Sequence, residues 1–472
     1  MKKTNKLAAL RAKSITVNKA YGEEVVRKSV VTNIPRIPTG ALSADYVSGL
    51  NAEGIGGWAV GHGNCIVGWE SSGKTTLMLK ACGALQRTCV RCYRPGIDFK
   101  IERLIEDDKL VMAEVGIDGD GVPKVAPYYT VTGRCTCYKE GLWSPDKPVF
   151  KGSMKDKKEQ QAEWVEYQQT LLENSFEAAT IVYCDAENTL DLRWGKRQGV
   201  HAFMWDEEFK VNCPVAQFTH VVPNYAEQAI DIVDEYILSG VIDAVVVDSI
   251  PALVPKAERD ASAEDWQRGL QARLINKAFR RWVGSQAMMR SKNEDRRLVT
   301  MFYVQQWRNT MSQFSGNVMP GGNGQRFAYS IINEVYTSDK EIRADHNANL
   351  GGVTAEGKGK GKGAIEAAYA VRINVKNRKN KTWPPLKTAS FRMALMDDGD
   401  LSAGEVLELD YIFKTSMSLG LISKEGSKYK FRGKHYAAQS HIIKELSTNP
   451  VALAWIKKQV RKRLFAATEG DH

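Results

Sequence analysis

The amino-acid sequence predicts an α/β protein with a mainly parallel sheet, a cysteine-bearing insertion and a small C-terminal α/β domain. Three observations carry that prediction. Continuous β-branched runs (NCIVG at 64–68, ATIVYCD at 179–185, IDAVVVDS at 242–249, LVTMFYVQQ at 298–306) alternate with helix-patterned stretches. Strands that lack polar alternation belong to sheets covered on both faces. A paired-cysteine segment separates the first run from the second, and the last 70 or so residues change to a basic, mixed texture. The chain has 472 residues, 43% apolar and 26% charged, with a mean hydropathy of −0.36, which is long and apolar enough for a large core and excludes dominant disorder.

Charge and cysteine usage narrow the class. Lys plus Arg number 66 against 55 Asp plus Glu, giving +11 and a pI near 9.1, a balance compatible with nucleic acid. The longest apolar stretch, Val245 to Val254, is broken by Asp248 and is too short to span a bilayer. The start, MKKTNKLAALRAKS, is basic without a long apolar core, so a cytoplasmic protein without membrane contact is expected. The eight cysteines do not read as a disulfide framework, and four are spaced like metal ligands.

Each element follows in order. After the N-terminal segment 1–40, a glycine-rich turn leads into the first strand and then Gly68-Trp-Glu-Ser-Ser-Gly73-Lys74-Thr75, which fits G-x-x-x-x-G-K-[ST] between a strand and a helix. In that context the glycines allow turns in which backbone N–H groups from Gly68, Glu70, Ser71, Ser72, Gly73, Lys74, Thr75 and Thr76 converge on phosphate. The Lys74 ammonium is expected on the β/γ-phosphates and the Thr75 hydroxyl on Mg²⁺. Asp248 ends an apolar strand, where its carboxylate would join Thr75 at the metal. Glu187, in YCDAENTLD, is the candidate base for an attacking water.

The blocks IPTGALSADYVSG, GWESSGKTTL, YCDAENTLDLRW, VVVDSIPALVPKAE and PGGNGQRF, in that order, closely resemble the RecA family of recombinases, and the stretch from Leu407 to Leu464 resembles its C-terminal domain. The size of the insertions points to a divergent, bacteriophage-encoded member. The resemblance implies a RecA-type P-loop ATPase core over 41–400, interrupted by the 88–178 insertion, then a basic C-terminal domain over 401–472; the low-complexity stretch 339–364, with its EGKGKGKG, reads as a mobile loop within that core. It implies that Glu187 activates water, that Asp191 and Trp194 cradle adenine, and that Gln306 senses the γ-phosphate. It also implies that two lysines, Lys379 and Lys381, reach the neighbouring subunit's nucleotide; Lys376 and Arg378 offer a second register.

The resemblance further implies two DNA-facing loops. The first is 258–269, followed by Arg273, Asn276 and Arg280 on one helix face; the second is 307–322, with Arg308, Met311, Phe314, Gly321 and Gly322 as contacts. Residues 1–40 would serve polymerisation, and Lys428, Lys430, Arg432 and Lys434 would gather duplex. In the insertion, Cys89-x-x-Cys92 and Cys135-x-Cys137 are candidate ligands for a structural zinc. The expected function is an ATP- and Mg²⁺-dependent DNA recombinase. It would form a head-to-tail filament on single-stranded DNA, pair it with double-stranded DNA and work with single-strand-binding and loader proteins in recombination and repair. The alternatives are a RecA-core DNA motor and a filament or mediator protein that does not hydrolyse ATP.

Overall fold

The computed structural model describes residues 33–469 apart from 97–98, 107–108, 118–122, 134, 136–177, 263–268, 293–297, 309–316, 323, 345–365 and 398–401. In chain order the core comprises α1 (Leu42–Ser48), β1 (Gly63–Gly68) and α2 (Lys74–Gln86), then β2 (Phe99–Arg103) and β3 (Tyr129–Gly133) of the insertion. It resumes with β4 (Ile181–Asp185), α3 (Leu192–Arg197), β5 (Phe218–Val221), α4 (Ala226–Ser239), β6 (Ala244–Asp248), α5 (Leu270–Lys292) and β7 (Thr300–Gln306). After these come α6 (Gln325–Ala328), β8 (Ile331–Ala344), β9 (Glu366–Asn380), β10 (Thr388–Ala394) and β11 (Val406–Leu407). The C-terminal unit holds α7 (Leu409–Ser418), β12 (Ile422–Glu425), β13 (Lys428–Phe431), β14 (Lys434–Tyr436), α8 (Gln439–Thr448) and α9 (Pro450–Glu469).

One nine-stranded sheet, ordered β5-β4-β6-β7-β1-β8-β9-β10-β11, organises the core. The first six strands in that order are parallel, and the last three add on antiparallel. Strand residues alternate between two apolar layers. Ile66, Tyr183, Val246 and Phe302 pack with Leu77, Met78 and Leu79 of α2, while Val67, Val245, Val247 and Met301 pack with α4 and α5. This is why the strands read as unbroken apolar runs: both faces are covered, and each buried Val or Ile contributes about 1.5–3 kcal/mol relative to exposure. In α4 the buried residues Ala226, Ala229, Ile230, Val233 and Ile237 follow helical spacing, and Gly240 ends it in the left-handed region. Helix α5 buries Ile275, Phe279 and Trp282 and turns Arg273 and Arg280 outward.

The C-terminal unit has its own core, with Ile412, Phe413, Phe431, Ile442 and Ile456, and it takes in Leu42 of α1. Polar contacts fix the docking: Arg461 pairs with the buried Asp45 at 2.6 Å, and the Leu42 backbone N–H donates to Glu408 at 2.6 Å. Among the described residues no helix is long and apolar enough to cross a membrane.

The expectation of a mobile 339–364 loop needs correcting at its start, over 339–344. Strand β8 continues to Ala344 and β9 begins at Glu366, so the ends form an antiparallel hairpin with irregular register near Asp339 and Ile342. Backbone pairing carries this extension beyond the core, which a reading based on apolar content overlooks. Residues 1–32, and most of the segment 88–178 beyond Cys135, lie outside the described residues.

Asp243, entering β6, is buried and accepts the Thr180 N–H at 2.8 Å, and burial pushes its carboxyl up from 3.8 to about 7. The unfolded chain ionises this group well below the folded protein does, so its contribution to stability is full below about pH 4 and is lost as pH rises through about 7. The melting temperature is therefore expected to fall between pH 5 and pH 8. Asp243→Asn, which keeps an acceptor for Thr180, is expected to remove a slope worth on the order of 2–4 kcal/mol, read by thermal melts across that range.

Candidate functional site

The carboxyl ends of β1, β7, β6 and β4 lie side by side, because Gln306 pairs with Gly68 across β7 and β1 while Asp185 pairs with Asp248 across β4 and β6. In an open parallel sheet this edge is where a ligand crevice forms. From it rise the loop 68–74, the Asp248–Ser249 corner, Gln306 and the turn bearing Glu187.

The loop is held by its own chemistry. Ser71 and Gly73 take left-handed backbone angles, the second at the entry to α2. A Cβ at Gly68 would come within 2.3 Å of the Val335 carbonyl, so only glycine fits where β1 turns. Ser72 Oγ donates to the Trp69 carbonyl at 2.7 Å, and Lys74 Nζ donates to the same carbonyl at 2.6 Å. The Lys74 ammonium is buried, and that burial lowers its pKa against the pull of Asp248, Glu187 and Glu70. Trp69 is exposed.

Thr75 Oγ1 donates to Asp248 Oδ2 at 2.9 Å, and Tyr183 Oη donates to the same oxygen at 2.6 Å. Burial nevertheless pushes the Asp248 carboxyl up to about 6, helped by the charges of Glu187 and Asp185. A threonine hydroxyl and a buried carboxylate at a glycine loop, with a lysine beside them, form a donor set that fits Mg²⁺ and phosphate oxygens.

Glu187 sits on an exposed turn that Asp185 pins by accepting the N–H groups of Thr189 (3.3 Å) and Leu190 (2.9 Å). Its Oε1 accepts Gln306 Nε2 at 3.0 Å and also the Ser249 hydroxyl. Asp191 caps α3 by accepting the Arg193 N–H at 2.8 Å, and Trp194 Nε1 donates to Thr76 Oγ1 at 3.2 Å, which places the indole beside α2. The structure thus gathers Lys74, Thr75, Asp248, Glu187 and Gln306 at one sheet edge, with Trp194 and Asp191 flanking α2.

Lys379 and Lys381 lie elsewhere. Gly68 is level with Val335 and Val375, whereas Asn64 is level with Ile331 and Asn380, so the lysines stand at the opposite end of the sheet, roughly 15 Å from their own loop. Lys379 Nζ donates to the Arg326 carbonyl and Lys381 Nζ to the Phe327 carbonyl at 3.1 Å. Arg378 is held by Glu334 at 2.6 Å, and Glu334 also accepts Trp307 Nε1 at 3.0 Å.

Of the DNA-facing set, Arg273, Asn276 and Arg280 line a cavity of about 940 Å³ between α5 and α6, together with Phe279 and Phe327. Gly321 and Gly322 have positive φ and lie against Ile275 and Asn276 of α5, so the second loop folds back onto the helix that follows the first. Arg308 pairs with Val318 through two 3.0 Å backbone hydrogen bonds that close the base of that loop. Met311, Phe314 and Cys137 lie outside the described residues. Cys89, Cys92 and Cys135 do come together, with their sulfurs within 4.8 Å of one another.

Sequence reasoning overlooked Ser249, Tyr183 and the Trp307–Glu334–Arg378 chain. Ser249 follows Asp248 directly, and Tyr183 is a polar-tipped residue in an otherwise apolar strand, two positions before Asp185. Those local cues were present, but each acts across strands.

The fold and this edge define a P-loop nucleotide-binding protein with an α/β core. A model of the RecA N-terminal domain matches residues 168–399. Curated relatives named Protein RecA include those of Fusobacterium nucleatum (29% identical over 291 residues), Picosynechococcus sp. (30% over 291) and Aquifex pyrophilus (31% over 285). These matches cover 61%, 61% and 60% of this chain, and 64%, 70% and 68% of the relatives. The chain belongs to the RecA family.

Proposed function

We propose that the chain is a DNA-dependent ATPase that assembles into a filament on single-stranded DNA and carries out homologous pairing and strand exchange. The observation that carries this reading is the Glu187–Gln306 hydrogen bond at 3.0 Å, because it ties the candidate base to the strand that leads straight into the second loop. Gln306 is followed by Trp307 and Arg308, so a shift of Glu187 on nucleotide binding would be felt where the loop is closed. The loop 68–74 would bind the triphosphate, Lys74 would neutralise its outer oxygens, and Thr75 and Asp248 would hold Mg²⁺. Bound there, Mg²⁺ would supply charge neutralisation at the transferring phosphoryl group. Glu187 would take a proton from the attacking water while Ser249 and Gln306 hold its Oε1 in place. Trp194 would offer adenine a flat stacking face.

The position of Lys379 and Lys381 supports self-assembly: standing too far from their own loop, they would complete a neighbour's site, as a head-to-tail contact that does not close requires. Arg273 and Arg280 would track phosphate, giving salt-sensitive binding with little sequence preference. A cytoplasmic setting, a bacteriophage origin and duplex gathering by Lys428, Lys430, Arg432 and Lys434 belong to the same reading.

The test is ATP hydrolysis with and without single-stranded DNA, followed by a strand-exchange assay. Hydrolysis is expected to rise at least about tenfold with DNA and to vanish in Lys74→Ala, which removes the phosphate-neutralising ammonium. Tight ATP-dependent DNA binding without turnover would favour the mediator alternative, and processive unwinding of a forked duplex would favour the motor.

A further inference from the structure

Among the described residues, the insertion stands apart from the ATPase machinery and its apolar packing is thin. Its small core holds Cys89, Val131, Cys135, Ala178 and Val215, while Ile105, Leu110, Met112 and Val125 are exposed. The described strands pair two by two: β2 with β3, Ile105–Glu106 with Lys109–Leu110, and Met112–Ile117 with Pro123–Pro127. Units of this kind rarely hold together on apolar burial alone.

At its base lie three thiols. Cys89 follows α2 by three residues, and Cys92 sits on a tight turn closed by hydrogen bonds from the Tyr93 N–H to the Cys89 carbonyl (2.7 Å) and from the Cys89 N–H to the Arg94 carbonyl (3.1 Å). Tyr93 takes a positive φ of 54°, so the chain curls around the pair. Cys135 comes in from the end of β3, and Cys92 and Cys135 sulfurs are 3.4 Å apart. Backbone N–H groups of Arg91 and Cys92 are aimed at the Cys89 sulfur and that of Arg94 at the Cys92 sulfur. Cys65, Cys82 and Cys184, by contrast, lie within the apolar layers of the main sheet.

We propose that Cys89, Cys92 and Cys135 bind one zinc ion that staples the insertion to the exit of α2, with the fourth corner taken by a water or one further donor. The spacing argues for a metal over a covalent bridge. A disulfide needs its sulfurs about 2.05 Å apart. Thiolates on a tetrahedral zinc, at about 2.3 Å from the ion, stand about 3.8 Å from each other. The observed separations, 3.4 Å and otherwise up to 4.8 Å, bracket the second figure. Zinc is favoured over harder cations because all three donors are sulfur. Since one ligand follows α2 and another ends β3, the ion would tie the two strands of the insertion's base to the helix that starts at the phosphate loop.

The experiment uses the full chain, purified without chelator, with zinc measured by elemental mass spectrometry. About one zinc per chain is expected, falling at least about tenfold in Cys92→Ser and in Cys135→Ser but not in Cys213→Ser. Cys135→His, which keeps a zinc-compatible donor, is expected to retain the ion, whereas a cysteine needed only for packing would gain nothing from histidine. To keep the test independent of how the serine variants fold, the wild-type chain is also stripped and reloaded with cobalt, where thiolate-to-metal absorption is expected. Wild-type chain with under about a tenth of a zinc per chain and no cobalt absorption overturns the proposal, as does a Cys92–Cys135 disulfide found by mass spectrometry. Either result leaves the ATPase reading intact, since that rests on other residues.

Discussion

Glu187→Gln is expected to cut ATP turnover by about 10²- to 10⁴-fold while leaving nucleotide-dependent DNA binding in place. The reason lies in what the substitution keeps. Glutamine retains an oxygen where Glu187 Oε1 accepts the Ser249 hydroxyl and the Gln306 amide, so the turn and its tie to the second loop persist. What it loses is the negative charge and the capacity to take a proton from water. Turnover and DNA affinity should therefore separate, with the variant holding DNA longer because hydrolysis no longer resets it. Gln306→Ala makes the converse test: the base remains but its link to the loop is gone, so DNA stimulation should fall more than basal turnover. Steady-state hydrolysis and fluorescence-anisotropy DNA binding, measured side by side, read both. If Glu187→Gln weakened DNA binding as much as turnover, Glu187 would be a structural tether and lose its place as the base.

How much of this was legible in the sequence depends on the range over which each residue acts. The loop 68–75 and the strand ending at Asp248 are each written within a dozen residues, in the pattern a phosphate and metal site would need, whereas the turn carrying Glu187 was singled out by the family resemblance. The parallel sheet was readable for a similar reason, because strands buried on both faces cannot alternate. Ser249 and Tyr183 were not read as site residues, since their roles arise only from the register that sets β4 beside β6. The Trp307–Glu334–Arg378 chain joins three separate segments, so no local pattern in the sequence points to it. Residues 339–344 of β8 were expected in a loop because their pairing with β9 is made by the backbone and leaves no apolar signature in the sequence.

Asp248→Asn is expected to abolish Mg²⁺-dependent turnover, by at least about 10²-fold, without unfolding the protein. The substitution is nearly isosteric, and the carbonyl oxygen of the new amide can accept the two hydroxyls that now meet on Oδ2, from Thr75 at 2.9 Å and Tyr183 at 2.6 Å. The carboxylate is costly to bury where it stands: burial, with the charges of Glu187 and Asp185, drives it up to about 6, and neither hydroxyl brings it back to the ordinary range. A neutral amide avoids that cost, so in chelator the variant should melt no lower than the wild type. A metal added to the wild type offsets the buried charge, so Mg²⁺ with nucleotide should raise the wild-type melting temperature and leave the variant's almost unchanged. Differential scanning fluorimetry with and without Mg²⁺-ATP, together with turnover, reads the three expectations. Activity retained in Asp248→Asn would remove the carboxylate from the metal site. A large loss of stability in chelator would instead make it a structural hub for β4, β6 and α2. The expected pairing of lost turnover with preserved stability is what separates a carboxylate kept for its metal from one kept for the fold.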